Sequence, residues 1–326
     1  MAITPVFNHK KTQLVMAPET TMGTAMTLLA SHNNVKWIPD SISFDPEIEE
    51  FLMWFASGRH SMGQATMGKR KASIKCQLPL MLGASVAAAP NLGKVLKACG
   101  QLETVTASTS VGYTPDATKD QGDGINVTMG VIFVPTSGSA ILATIKGALG
   151  NFKLMMSQSG YPFVLDCDFM GAWVGISDGS ALALTSPDTG YAPGTLGTTL
   201  TMASILQTIS KLELDAGNTI ELDEDNADST GYGASYISTR APKLSYDPKA
   251  RLAAVDPVYT RMVANTEQAF SMTTAIENSM KWTVSAPKAQ ASNQKFGKRG
   301  TMLTWDQSFH LNENAGNDQF QLLQSA

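Results

Sequence analysis

The sequence predicts a mainly β protein in which two similar units follow one another along the chain. The same order of pieces occurs twice: an alternating strand, a short helix begun by proline, and a further strand. The spacing also repeats, because Phe44 lies 31 positions before Lys75 and Leu214 lies 31 positions before Ser245. We therefore expect two tandem β-rich domains, at 1–185 and 186–326, each with one short flanking α-helix. The matched pieces read KRKASIKCQLPL, PNLGKVLKACG and TSVGYTP in the first unit, and RAPKLSYDPKA, DPVYTRMVANTEQAF and MKWTVSAP in the second.

The composition restricts the class of protein. Charged residues make up 16% of the 326 residues, against roughly 25% in an average soluble domain. This low charge fits either surfaces covered in an oligomer or an ordinary Ser/Thr-rich β protein. The net charge of −4 argues against a protein whose main task is to bind nucleic acid, because such proteins need basic patches. The start has no signal-peptide pattern and the longest apolar run, 81–89, is too short for a bilayer, so we expect a chain made in the cytoplasm and without a membrane anchor.

The segment 46–70 allows two interpretations. After a strand at 41–45, Asp45 and Pro46 could begin a helix, with apolar residues at helical spacing behind them. The corresponding segment of the second unit instead indicates a strand, an acidic loop and a returning strand. Because the strand spacing is matched in the two units, we favour a hairpin for 46–70.

Two short helices are predicted at matched positions. The first begins at Pro90 and ends at Gly100, a residue suited to a left-handed C-cap. Its apolar face comprises Leu92, Val95, Leu96 and Cys99. The second begins at Asp256-Pro257, and its predicted apolar face comprises Tyr259, Met262, Val263, Thr266 and Phe270.

Alternating segments between turn residues predict the remaining strands. The stretch 177–197 has a loop-like composition and is expected to connect the two domains, although ALAL at 181–184 could form a short edge strand. The predicted strands are 109–115, 127–134, 141–145, 150–156 and 162–170 in the first half, and 205–215, 232–238, 242–247, 279–285, 301–311 and 318–324 in the second.

No pattern in the chain predicts an enzyme, a cofactor or a metal site. Cys76, Cys99 and Cys167 are expected to be reduced core residues, and the four histidines have no partners at metal-ligand spacing. The stretch 63–69 fits the first seven positions of a P-loop, but Arg70 stands where a hydroxyl is needed and a strand follows instead of a helix. The acidic run 221–228 lacks the turn glycine and late glutamate of a calcium loop, and it is expected to be a solvated hairpin tip.

The order of motifs across both halves resembles the tail tube proteins of long-tailed bacteriophages (siphoviruses). The resemblance extends from about residue 13 to residue 324. The segments that carry it are KRKASIKCQLPL, APNLGKVLKACGQLETV, TSVGYTP and GNFKLMMSQSGYPFVLDCDFMGAW, followed by LELDAGNTIEL, GYGASYISTRAP, VSAPKAQ and GNDQFQLLQ.

The resemblance implies two tail-tube-type β-sandwich domains whose sheets join side by side with those of neighbours around an inner β-barrel. Three chains would then supply six domains, and the rings would stack into a tube through which DNA is ejected. Implied partners are other copies of the chain, the tape-measure protein and DNA in the lumen, the tail terminator, and the distal tail or baseplate proteins. The protein would reside in the virion tail after assembly in the host cytoplasm.

The two predicted hairpin tips carry opposite charge, which suggests a role in stacking. If the tips meet between rings, their charges would fix the rotational register of one ring on the next; otherwise both tips are merely solvated. The candidate inter-ring residues are Arg59, His60, Lys69, Arg70 and Lys71 on the first tip and Asp223, Glu224, Asp225 and Asp228 on the second.

Two alternatives share the β pattern and the low charge. A β-sandwich receptor- or glycan-binding virion module is expected to cluster exposed aromatic residues at loop tips, whereas the five tryptophans here are spread through predicted strands. A terminator or distal tail protein would form one ring and stop.

Overall fold

A computed structural model describes residues 6–52, 65–116, 118–156, 160–277 and 279–326. Strands dominate this part of the chain, as predicted. The α-helices are α1 (Gly93–Ala98) and α2 (Val258–Val263), and 3-10 turns occupy His9–Lys11, Ala30–His32 and Pro39–Ser41. The strands of the first half are β1 (Gln13–Pro18), β2 (Ser43–Leu52), β3 (Ala65–Pro79), β4 (Gln101–Thr106), β5 (Ser110–Pro115), β6 (Val127–Phe133), β7 (Ala140–Met156) and β8 (Val164–Gly179). Those of the second half are β9 (Thr199–Met202), β10 (Ile205–Gln207), β11 (Leu212–Asp215), β12 (Asn218–Glu224), β13 (Tyr232–Arg240), β14 (Lys243–Tyr246), β15 (Glu267–Thr273), β16 (Lys281–Arg299), β17 (Met302–Asn312) and β18 (Gln321–Ser325).

The same order of antiparallel pairs occurs in both halves. It runs β1-β6-β7-β8-β3-β2 in the first half and β9-β15-β16-β17-β14-β11 in the second. The two series join where β7 pairs with β11, so eight strands follow one another as β2-β3-β8-β7-β11-β14-β17-β16. Strand β18 pairs with β16 and β5, while β12 and β13 form a separate two-stranded sheet.

Strand register repeats as well as strand order. Phe44 lies opposite Ile74 in the pair β2–β3, and Leu214 lies opposite Leu244 in the pair β11–β14. One predicted correspondence is wrong, however. The segment TSVGYTP forms β5, whereas MKWTVSAP begins β16, whose place in the strand order matches that of β7. Strand β5 pairs with β4 and β18 and belongs to neither of the two matched series.

A continuous apolar core lies on one side of the eight-stranded path. Alternate residues of its strands are fully buried, including Ile74, Phe152 and Phe169. Phe152 meets Phe320 edge-on, with ring centroids 6.1 Å apart. All three cysteines are buried and free, which confirms that they belong to the core. The two halves share this core and two strand pairings, β7–β11 and β5–β18; a domain boundary at 185 stays a prediction.

The first helix is confirmed and the predicted face of the second is wrong. Leu92, Val95, Leu96 and Cys99 are all buried, and Gly100 adopts φ +71°. In α2, Val258 is the buried residue, whereas Tyr259 and Val263 are 64% and 63% exposed. This helix ends after six residues, and Phe270 belongs to strand β15.

The segment 46–70 forms a hairpin, not a helix, in its described part. Strands β2 and β3 pair from Ser43–Lys75 to Leu52–Ala65, and residues 53–64 lie outside the described residues. Several strand boundaries also differ from prediction. Residues 141–145 and 150–156 belong to one long strand, 205–215 divides into β10 and β11, and β8 extends to Gly179. The connection at 180–198 contains no strand at 181–184.

Candidate functional site

The solvent-facing side of the eight-stranded path is polar. Along each strand, residues that face solvent alternate with residues that face the core. The solvent-facing residues that lie between two buried apolar neighbours include Lys75, Asp168, Lys153 and Glu213. Two depressions of about 480 and 490 Å³ follow this side of the sheet. The first is lined by Ser73, Lys75, Asn151, Lys153, Asp166, Cys167, Asp168, Met170, Asn218 and Ile220, and the second by Met155, Met156, Lys211, Leu212, Glu213, Ser245, Tyr246, Asp247, Asp306, Gln307 and Ser308.

Charges of both signs alternate along this polar side. Lys153 lies 3.1 Å from an Asp215 oxygen and 3.3 Å from a Glu213 oxygen. Burial raises the pKa of Asp168, and the neighbouring Asp166 carboxylate adds to the increase while Lys75 opposes it. The side is therefore polar without being a basic, phosphate-binding surface.

The junction between β7 and β11 holds a compact polar cluster. Leu214 lies opposite Leu154 and Asp215 lies opposite Lys153. The Asp215 carboxylate accepts hydrogen bonds from the Asn151 amide and the Gly217 N–H, both at 2.8 Å. Burial disfavours ionisation of Asp215, but these hydrogen bonds and the Lys153 ammonium outweigh it, and the pKa of Asp215 is lowered. The cluster thus holds an ionised aspartate across the seam between the two halves.

The hairpin β12–β13 lies over the first half and reinforces the same junction. Ile237 is buried, and the Ser235 hydroxyl donates to the Met170 carbonyl at 2.7 Å. The Arg240 guanidinium donates to the carbonyls of Gly100 and Asp116, both at 3.1 Å. These contacts connect the second half to the end of α1 in the first.

Both ends of the eight-stranded path carry an edge without a strand partner among the described residues. At one end, β2 pairs with β3 alone. At the other end, β16 pairs with β15 on one side only as far as Gln290, although it continues to Arg299. In the matching strand β7, the corresponding edge is paired along both parts. Strand β6 pairs with β7 as far as Ala148, and β11 pairs with residues 153–156 of β7.

The structure brings several predicted tip residues together within one chain. Lys69 pairs with Glu224 at 2.6 Å and lies over the Tyr232 ring, 5.8 Å from its centroid. Asp228 pairs with Lys146, which is not a predicted partner, and Lys71 pairs with Glu47 at 3.3 Å.

The remaining tip residues have different positions. The backbone N–H of Arg70 donates to the Thr230 carbonyl at 3.0 Å. The Asp225 carboxylate accepts a hydrogen bond from the Ala227 N–H at 2.8 Å within its own turn. Asp223 lies in β12, and Arg59 and His60 lie outside the described residues. The contact between rings stays a prediction for all nine residues.

The cluster at the β7–β11 junction was not predicted from the sequence. Its members Asn151 and Lys153 are far from Asp215 along the chain, and no known motif joins them. The sequence nevertheless repeats the elements of this cluster. Asn-x-Lys at 151–153 recurs at 293–295, and an aspartate ends both LELD at 212–215 and ISFD at 42–45.

No protein-family model matches the chain, and no curated protein matches it. Among the described residues, no group of three potential ligand side chains could hold a metal ion, and no helix is long and apolar enough to cross a membrane.

Proposed function

We propose that this protein is a structural virion component that forms rings, and that the rings stack into the tail tube of a long-tailed bacteriophage. Three chains would form each ring, and each chain would contribute two tail-tube-type β-sandwich domains. The single observation that carries the proposal is the pair of unpartnered edges at the ends of a sheet whose middle already contains a side-by-side junction of two matched units.

Unpaired strand edges are a liability for a soluble protein, because their N–H and C=O groups can template aggregation. A specific partner removes that liability. Here the two edges differ from each other, so a contact between them is heterologous and repeats from copy to copy. A ring results where the rotation closes, and a closed sheet retains no edges.

The polar side of the sheet is suited to the lumen of such a ring. Its lysines lie beside carboxylates, as Lys153 does beside Asp215 and Glu213. A wall with this balance of charge does not present the array of cations that would hold DNA phosphates through counterion release. DNA, and before it the tape-measure protein, could therefore pass without sequence-specific contacts. No catalytic step belongs to this function.

Electron microscopy of the purified protein tests the proposal. Negative staining should show hollow filaments or stacked rings, and these should persist over a range of salt concentrations. Single rings that never stack would favour a terminator or distal tail protein instead. Monodisperse monomers at high protein concentration would contradict assembly and favour a receptor- or glycan-binding module.

A further inference from the structure

We infer that β2 of one copy pairs with residues 292–298 of β16 in the next copy, in the same register as the internal β7–β11 junction. The inference rests on the proposed function and adds to it the residues of the contact and their alignment. The partner of each open edge is a second copy of this chain. The chain already contains one such junction, β7–β11, and its two open edges, on β2 and β16, repeat the two strands of that junction.

The register can be transferred from one junction to the other through the strand pairs. Phe44 corresponds to Leu214, because each lies opposite the matching residue of the next strand, Ile74 or Leu244. Lys153 lies opposite Asp166 of β8, and Lys295 lies opposite Asp306 of β17. The segments NFKL at 151–154 and NQKF at 293–296 therefore correspond, as do LELD at 212–215 and ISFD at 42–45.

The polar cluster of the internal junction recurs in this alignment. Asp45 takes the place of Asp215, while Asn293 and Lys295 take the places of Asn151 and Lys153. All three hydrogen-bonding groups are thus present at the two open edges of one chain. The new junction places an Asp45 carboxylate where it accepts hydrogen bonds from Asn293 and Lys295 of the next copy.

The apolar pair of the junction recurs as well. Phe44 and Phe296 take the places of Leu214 and Leu154, which lie opposite each other and are both buried. In the single chain Phe296 is 67% exposed and stacks on Trp305, with ring centroids 4.1 Å apart. A neighbouring β2 would cover this exposed aromatic pair, in the manner of a cross-strand contact.

The β2–β3 hairpin supplies a third correspondence. Arg70 corresponds to Arg240, and Met67, which is 64% exposed, corresponds to the buried Ile237. The Arg70 Nε is buried without a hydrogen-bond partner in the described part of the chain. Helix α2 is followed by Asn265 with φ +52°, as α1 is followed by Gly100 with φ +71°. Arg70 is therefore expected to donate to the backbone carbonyl of Asn265 in the next copy, a contact within the ring instead of between rings.

Three consecutive positions depart from the pattern. Pro46 has no N–H to match the Ala216 N–H, which donates to the Phe152 carbonyl at 3.0 Å across the internal junction. Glu47 lies in strand β2, whereas Gly217 has φ +67°. Ile48 stands where Asn218 bridges the first junction, and β2 has a bulge between Ile48 and Glu50. The test therefore uses the residues that do correspond, namely Asp45 and Lys295. Neither residue belongs to the core, so the variants are expected to fold.

A charge exchange tests the register. Asp45→Lys and Lys295→Asp, each alone, should raise the protein concentration needed for ring formation by roughly thirtyfold or more, because each leaves like charges facing across the junction. The double variant should restore assembly to within a few-fold of wild type. Lys119→Asp and Glu313→Lys make the same changes of charge at exposed positions outside the junction, and they should assemble as wild type does.

Disulfide formation gives a second readout that does not depend on weakened assembly. Phe44→Cys combined with Phe296→Cys should link neighbouring chains on oxidation, because directly opposite residues have the separation that a disulfide requires. Phe44→Cys with Lys298→Cys, displaced by two residues, should link far less. The native cysteines are buried and should not interfere.

The outcomes separate the two levels of the argument. If wild-type protein forms no rings or tubes, the proposed function fails and the inference fails with it. If wild type assembles but the double exchange is not rescued and the displaced cysteine pair links as well as the aligned pair, the register alone is wrong. Rescue together with selective linkage supports both.

Discussion

Replacing Asp215 by alanine should lower the free energy of unfolding of the isolated chain by about 3 kcal/mol. The carboxylate accepts hydrogen bonds from Asn151 and Gly217 and pairs with Lys153. Each of the two hydrogen-bond donors left without an acceptor in this half-buried site costs about 1–1.5 kcal/mol. Lys153, whose side chain is 40% exposed, remains hydrated, so its contribution is held to about 0.5 kcal/mol. Asp215→Asn keeps an acceptor and should cost only about 1 kcal/mol.

Asp45 provides the matched control for this prediction. It occupies the same register position in the first half but is exposed in the single chain, so Asp45→Ala should change the free energy of unfolding by less than about 0.5 kcal/mol. Urea denaturation followed by tryptophan fluorescence, in dilute protein that has not assembled, measures all three variants. Equal effects of Asp215→Ala and Asp45→Ala would refute the view that one junction is complete within the chain and the other is not.

The pH dependence of the Asp215 effect has a defined sign. The pKa of Asp215 is lower in the folded protein than its ordinary value of 3.8, so the folded state binds this proton less tightly than the unfolded state. The stabilisation is therefore present above pH 3.8 and is lost as the pH falls through the folded pKa. The difference between wild type and Asp215→Ala should shrink over that acidic range.

Two further predictions concern other parts of the same framework. Gly100→Ala should destabilise the chain by at least ~1 kcal/mol in the same denaturation assay, because Gly100 has φ +71° and an added Cβ would lie 2.5 Å from the Ile237 Cδ1 atom; an unchanged midpoint would contradict the close approach of the β12–β13 hairpin. Burial raises the pKa of Glu19 although Gly147, Thr128 and Gly23 donate hydrogen bonds to its carboxylate, so its contribution to stability should fall as the pH rises from 4.5 through the raised pKa. Glu19→Gln should remove that dependence, and identical pH profiles of the two proteins would show that Glu19 does not titrate there.

The sequence predicts the mainly β class, because alternation of apolar and polar residues is a local signal. It predicts the repeated order only in part, because TSVGYTP and MKWTVSAP do not occupy matching strands. One failure, the division of β7 into two predicted strands, occurs where glycines lie inside a strand without ending it. Gly147, with φ +58°, lies in a bulge inside β7, and Gly150 lies against the Phe169 ring. Both glycines suggest a strand end when only the local sequence is considered.

The candidate site was largely beyond prediction for a different reason. Asp215 meets Asn151 and Lys153 only because β11 joins β7, a pairing of distant segments that no local pattern specifies. The predicted charged tips show the same limit. Opposite charges on Lys69 and Glu224 were recognised, but the sequence alone could not reveal that the two residues pair within one chain.

The pairing of strand edges around the ring can be seen in a cryo-electron microscopy reconstruction of an assembled wild-type ring. We expect three chains in each ring, with β2 of each chain hydrogen-bonded to residues 292–298 of β16 in its neighbour and Asp45 beside Lys295. The eight-stranded paths of the three chains would then join into one closed sheet whose polar side faces the lumen. A ring in which these two edges remain apart, or in which the buried side of the sheet faces the lumen, would contradict it.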